Sequence, residues 1–228
     1  MRVNHVLIIA LIAALICYSC KSRGGRHINE GEIHYNIDYI GNFGTMPKDI
    51  LPKTLVVSFK KDKILYEMST PFGNSGIMNL SNPDEDIYDT YLSLFTIKLL
   101  YEARPGEIFP GFETMDSMII TKTSKTSVIC GYDCKNAAIT FPSNSKKVYD
   151  IWYTDEINLK NPNTATPYRS IDGVLMSFYF MIGDAVLHFD AETVYRKDIP
   201  DSMFQRRQKY MKVSRENINK FIKKMVNI

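Results

Sequence analysis

"EIHYNIDYI", residues 32–40, decides the fold class. Ile33, Tyr35, Ile37 and Tyr39 share one parity, and Glu32, His34, Asn36 and Asp38 share the other. Read as a strand, the stretch therefore turns one face to apolar matter and one to water. Less regular runs of the same kind follow at 54–59, 63–68, 76–80, 117–123, 126–130, 136–141, 147–154, 173–181, 185–189 and 192–196. Most of the 14 Tyr and 12 Phe fall inside such runs, where aromatic and β-branched side chains fit a pleated surface. Short gaps at 60–62, 131–133, 143–146 and 183–184 separate many of them, the spacing of antiparallel hairpins in a meandering sheet.

Two segments break this rhythm. In "VSRENINKFIKKMV", residues 213–226, Ser214 can cap a helix on which Ile218, Phe221, Ile222 and Met225 recur at i, i+3, i+4 and i+7. The expectation is a C-terminal amphipathic helix packed on the sheet. In "SNPDEDIYDTYLSLF", residues 81–95, Asn82, Pro83 and Glu85 offer a helix start, and Tyr88, Tyr91, Leu92 and Phe95 have helical spacing. The β-propensity of those same residues argues equally for a strand.

At the N-terminus, Arg2 precedes an unbroken apolar run from Val6 to Cys17. This has the length of a signal-peptide core and falls short of the roughly 18 residues that span a bilayer. Ser19-Cys20 followed by the polar "KSRGGRH" resembles a bacterial lipobox. The expected organisation is a lipoprotein signal peptide at 1–19, lipidation at Cys20, a flexible tether over 20–29, and a single domain over 30–228. Acyl chains contribute about 0.8 kcal/mol per buried methylene, so the anchor needs no membrane-spanning element in the domain. The net charge of +3 falls to about +2 without the signal; so small an excess gives no reason to expect nucleic acid as a partner.

Candidates for chemistry are few. Cys130 and Cys134 flank Gly131-Tyr132-Asp133. On one continuous strand they would lie about 13 Å apart, whereas a three-residue hairpin turn brings them within disulfide reach. A disulfide is the favoured reading and a pair of buried thiols the alternative; the spacing does not fit a redox CxxC. His27, His34 and His188 form no HExxH or i, i+4 pair, so no zinc hydrolase is expected, and His188 alternates with apolar neighbours as a strand residue would. "GNSG" at 73–76 resembles a serine-protease nucleophile loop without the context of a triad and reads as a turn. The acids Asp84, Glu85, Asp86 and Asp89 lack the spacing of a calcium loop. No catalytic set, metal site or cofactor is expected.

Four segments taken in order, "GEIHYNIDY" (31–39), "ICGYDCKNAAITF" (129–141), "YDIWYTDEI" (149–157) and "IDGVLMSFYFMIGDAVLHFDAETVYRKDIPDSMF" (171–204), resemble the GLPGLI family and its relatives. These are exported proteins and lipoproteins, chiefly of the Bacteroidetes, similar in architecture to the LolA/LolB-type lipoprotein carriers. The resemblance implies a mainly β (α+β) domain: a strongly curved antiparallel sheet forming a half-barrel, covered by helices and enclosing an apolar cavity. The family has no assigned enzymatic activity. The function to expect is non-enzymatic binding of a lipid, acyl chain or lipopeptide on the inward strand faces, with Ile33, Tyr35, Ile37, Tyr39, Leu55, Val57 and Phe59 as the candidate residues. The alternative is an accessory lipoprotein of an envelope complex. The basic stretch after Cys20 points to the periplasmic face of the outer membrane.

Overall fold

Residues 27–41, 48–73, 75–182 and 185–227 are described in the computed structural model. The signal segment, Cys20 and the tether as far as Arg26 lie outside them. Among the described residues there are twelve strands: β1 (Glu30–Ile40), β2 (Thr54–Lys60), β3 (Lys63–Ser69), β4 (Ser75–Asn82), β5 (Ile87–Leu94), β6 (Ile97–Glu102), β7 (Ile119–Ile129), β8 (Tyr132–Phe141), β9 (Asn144–Thr154), β10 (Val174–Ile182), β11 (Ala185–Tyr195) and β12 (Met211–Lys212). One α-helix, α1 (Arg215–Asn227), follows.

The alternation of residues 32–40 is realised in β1: Ile33, Tyr35 and Ile37 are buried, and the residues between them are not. β1 pairs with β2 on one side and β11 on the other, so it lies at the middle of a single sheet in the order β12-β6-β5-β4-β3-β2-β1-β11-β10-β9-β8-β7. All neighbours are antiparallel except β12, which runs parallel to β6. The sheet does not close; β12 and β7 are its edges. Two meanders, β1 to β6 and β7 to β11, thus grow outward from the β1–β11 pair.

That topology forces the cover. A chain leaving β6 near one edge must reach β7 at the other, so residues 103–118 cross a face of the sheet and lay Phe109, Phe112 and Met115 into the core. Residues 155–173 add Ile157, Ala165, Tyr168 and Ile171 to the same core, while 196–210 cover the opposite face of β3 to β6, where Ile199 and Phe204 meet Leu65, Leu80, Ile87, Tyr91 and Leu100. The expected cover of several helices is corrected to irregular chain plus α1. Pro105, Pro110, Pro162 and Pro167 interrupt the crossing segments, and proline removes the amide that a helix interior needs.

The ambiguous segment at 81–95 resolves as strand. Asn82 precedes a single 3-10 turn, Pro83–Glu85, which Asp86 ends in the left-handed conformation (φ 52°), and β5 follows. Both faces of β5 are covered, with Leu92 in one core and Ile87 and Tyr91 in the other. Burial on both faces erases the period of two, and this is what makes the stretch look helical. The runs at 117–123 and 126–130 belong to one strand, β7, with an irregular register between Lys122 and Thr126; β11 likewise joins two runs. Residues of the expected tether already pack on the domain. Ile28 is buried, bridges Ile157, and accepts a hydrogen bond from the Asn158 amide.

α1 forms as its sequence indicates. Ser214 Oγ accepts from the Asn217 amide at 3.3 Å, the N-cap bond, and Ile218 and Ile222 are buried against the main core. Among the described residues no helix is long and apolar enough to cross a membrane.

Candidate functional site

Of the seven candidate residues, Ile33, Tyr35, Ile37, Leu55, Val57 and Phe59 are buried on the inner face, and Tyr39 packs against the same core half-buried. They contribute mainly to packing. The Tyr35 hydroxyl donates to the Leu175 carbonyl at 2.7 Å, beside the register irregularity of β10, and the Tyr39 hydroxyl donates to the Pro52 carbonyl at 2.7 Å. Burial drives both phenols well above their ordinary pKa, so both stay neutral donors. Ile33, Tyr35, Val57 and Phe59 line a gap of only about 20 Å³.

The larger apolar space lies beside them, under the crossing segment. It measures about 50 Å³. Leu55, Met68 and Ile77 from β2 to β4 form one wall, Ile182, Leu187 and Phe189 from β10 and β11 another, and Phe109, Phe112 and Ile222 close it. Of the seven candidates only Leu55 takes part. Asn79 and Thr166 are polar members of this lining, and Asn79 is engaged: its side-chain oxygen accepts from the Thr90 hydroxyl at 2.8 Å. Tyr66 stands between this cleft and a more polar one of about 200 Å³ that includes Asp62, Ser81, Tyr88, Lys160 and Asn161. Its hydroxyl donates to the Pro162 carbonyl at 3.2 Å, and burial raises its pKa strongly.

A polar latch fastens the closing elements to each other at the rim. Arg215 Nη1 donates to Glu107 Oε1 and to the Ile108 carbonyl, each at 2.7 Å, and Nη2 reaches Glu113 Oε1 at 3.2 Å. Asn219 Nδ2 donates to that same Glu113 oxygen at 2.6 Å. Burial pushes the Glu107 carboxyl up, but hydrogen bonds from the Tyr101 hydroxyl, the Arg104 amide and Arg215 outweigh it and hold its pKa below the usual range. Beyond the latch, the Thr114 hydroxyl donates to the Met181 carbonyl at 2.7 Å and the Phe112 and Phe180 rings lie 4.3 Å apart. Crossing segment and helix are therefore joined into one cover, which is also bonded to β10.

The Cys130–Cys134 disulfide is a correction: both thiols are free. The hairpin turn holds two residues, Cys130 (φ 51°) and Gly131 (φ 82°), which matches the type I′ preference of tight hairpins. Ile129 then faces Tyr132, and Cys134 falls opposite Ser127 rather than Cys130. Burial raises the Cys134 thiol to about 11 and also raises Cys130. Cys130 Sγ instead donates to the Ala191 carbonyl of β11 at 3.2 Å. In a flat sheet β8 and β11, three strands apart, would stand about 14 Å from each other, so the β7–β8 hairpin curls over the inner face.

Sequence reasoning identified the apolar face of β1 and β2 and the buried side of α1. It missed Phe109, Phe112, Met68, Ile77, Ile182 and Leu187 as the surroundings of the open space. Nothing periodic marks Phe109 and Phe112, which lie in a proline-interrupted connection; Ile222 was legible only as a helix-face residue.

No family model and no curated protein sequence matches the chain. Among solved structures it is similar to PNGF-II in two crystal forms, P21 and C2, each with a TM-score of 0.54 and 16% identity. The match covers 87% of this chain and 34% and 33% of the PNGF-II chains. At that identity the likeness concerns the fold alone, and the chain spans about a third of PNGF-II.

Proposed function

We propose that the domain is a half-barrel carrier that binds an apolar group without chemistry, held by a lipid on Cys20 at the periplasmic face of the outer membrane. The observation that carries this reading is the apolar cleft between the inner sheet face and the crossing segment, walled by Leu55, Met68, Ile77, Leu187 and Ile222. A concave apolar surface with few polar groups is what an acyl chain or lipopeptide tail requires. The curl of the β7–β8 hairpin toward β11 supports the half-barrel, and the ordered resemblance to GLPGLI proteins supports the export and anchoring. A volume near 50 Å³ holds on the order of three or four water-sized groups. The ligand enters by its chain end, and a longer chain requires α1 and Phe112 to swing outward together.

The test is native mass spectrometry with organic extraction on the full chain, alongside binding of a fluorescent fatty acid. An apolar adduct, with fatty-acid affinity reduced at least tenfold by the cleft-filling Ile77→Trp in a protein of unchanged thermal midpoint, supports the reading. No adduct, together with fatty-acid binding indifferent to Ile77→Trp, refutes it. One observation favours accessory binding to an envelope complex instead. β7 is an 11-residue edge strand, with Ile119 and Val128 exposed and one side open to strand addition; its lysines and threonines, however, are those of an edge guarded against pairing.

A further inference from the structure

On the sheet face opposite the cleft, near β1 and β11, three metal-ligating side chains converge. Asp38 of β1 stands directly across from His188 of β11, and Asp190 lies two residues further on the same face. One ligand atom from each lies within 4.8 Å of the others. His188 Nδ1 is 3.1 Å from Asp190 Oδ2, close to the roughly 3.3–3.5 Å between ligands of a tetrahedral Zn²⁺ with bonds of about 2.0–2.2 Å. Among the described residues no lysine or arginine pairs with Asp38 or Asp190, although two carboxylates side by side favour a cation.

The imidazole is held by groups that are not themselves ligands. Its Nε2 lies 3.0 Å from Ser177 Oγ on β10, and its ring stacks on Tyr179 with centroids 4.2 Å apart and planes 13° apart. A donor bond from Nε2–H to Ser177 leaves the Nδ1 lone pair directed at Asp190, the outer-shell arrangement that fixes the tautomer of a metal-bound histidine. We propose that Asp38, His188 and Asp190 form a divalent transition-metal site, with Zn²⁺ as the occupant, Ser177 as the residue that positions the ring, and the remaining coordination open to water. Two oxygens and one imidazole nitrogen suit Zn²⁺ better than the all-oxygen shells of Ca²⁺ or Mg²⁺. Ser177–His188–Asp190 also has the hydrogen-bond order of an acyl-transfer triad. Ser177 is only 5% exposed and is flanked by Asp190 of β11 and Trp152 of β9, so a substrate carbonyl has little access to its hydroxyl.

The experiment is calorimetric titration of EDTA-stripped full chain with Zn²⁺, paralleled by the visible absorption of Co²⁺, with folding checked by circular dichroism. One ion per chain is expected. His188→Gln and the exposed Asp38→Asn should each weaken binding roughly 100-fold, and Ser177→Ala roughly tenfold with stoichiometry kept, the usual effect of an outer-shell loss. Absence of binding overturns the site. So does binding unchanged in His188→Gln and Asp38→Asn, which places the ion elsewhere. Ester hydrolysis lost in Ser177→Ala without any metal dependence overturns it in favour of a nucleophile.

Discussion

Arg206→Ala should detach the cover of the outer face. The Asp89 side chain is fully buried. Arg206 Nε donates to one of its oxygens at 2.8 Å and Nη2 to the other at 3.0 Å. The Tyr91 hydroxyl donates to Asp89 Oδ2 at 2.6 Å and accepts from the Arg207 amide at 3.0 Å. These bonds tie 196–210 to β5. Removing one partner of a buried pair costs about 3–5 kcal/mol, because a charge remains unpaired. The Arg206 side chain is 40% exposed, so solvent already weakens the pair, and about 2–3 kcal/mol is the expected loss. For a domain of this size that is a fall of roughly 4–12 °C in thermal midpoint. Asp89→Asn keeps an oxygen to accept from Tyr91 and removes the charge. In that background Arg206→Ala no longer strands a carboxylate, and the double variant should recover about 1–2 kcal/mol relative to the sum of the singles. Urea unfolding of all four proteins measures this. A loss under about 0.5 kcal/mol for Arg206→Ala, or strict additivity, would falsify the assignment of this pair as the fastening.

The lowered Glu107 carboxyl makes the latch pH-dependent: its contribution is complete above the ordinary glutamate range and is lost as pH falls through the lower folded value. Limited proteolysis should therefore release α1 on acidification, and Glu107→Gln should release it at neutral pH and flatten that dependence; an acid-insensitive helix refutes the latch. Iodoacetamide near neutral pH should label half-buried Cys130 slowly and leave buried Cys134 unmodified. Peptide mass spectrometry that finds the two joined as a disulfide refutes the two-residue turn. Gly31→Ala should destabilise by about 1–3 kcal/mol, since its Cβ would collide with the Tyr195 carbonyl oxygen; an unchanged urea midpoint would show that β11 yields.

Strand character was legible wherever one face of the sheet meets water. β1 and β11 alternate because burial is one-sided, and the C-terminal helix was legible because its cap and apolar positions are local. β5 was not decisively legible, since 196–210 covers its second face and removes the alternation that distinguishes strand from helix. The two-residue turn at Cys130-Gly131 was misjudged as three because register is fixed by pairing along the whole of β7 and β8. Composition and periodicity thus determined a β-rich domain with an inward apolar face and a packed C-terminal helix. Only the tertiary structure decided where space is left and which polar groups meet, because both depend on contacts distant in sequence. Ile77 and Leu187 line one cleft from opposite walls only because β3, β2 and β1 carry the sheet from one to the other, and Asp38 faces His188 only through a register that no local pattern encodes.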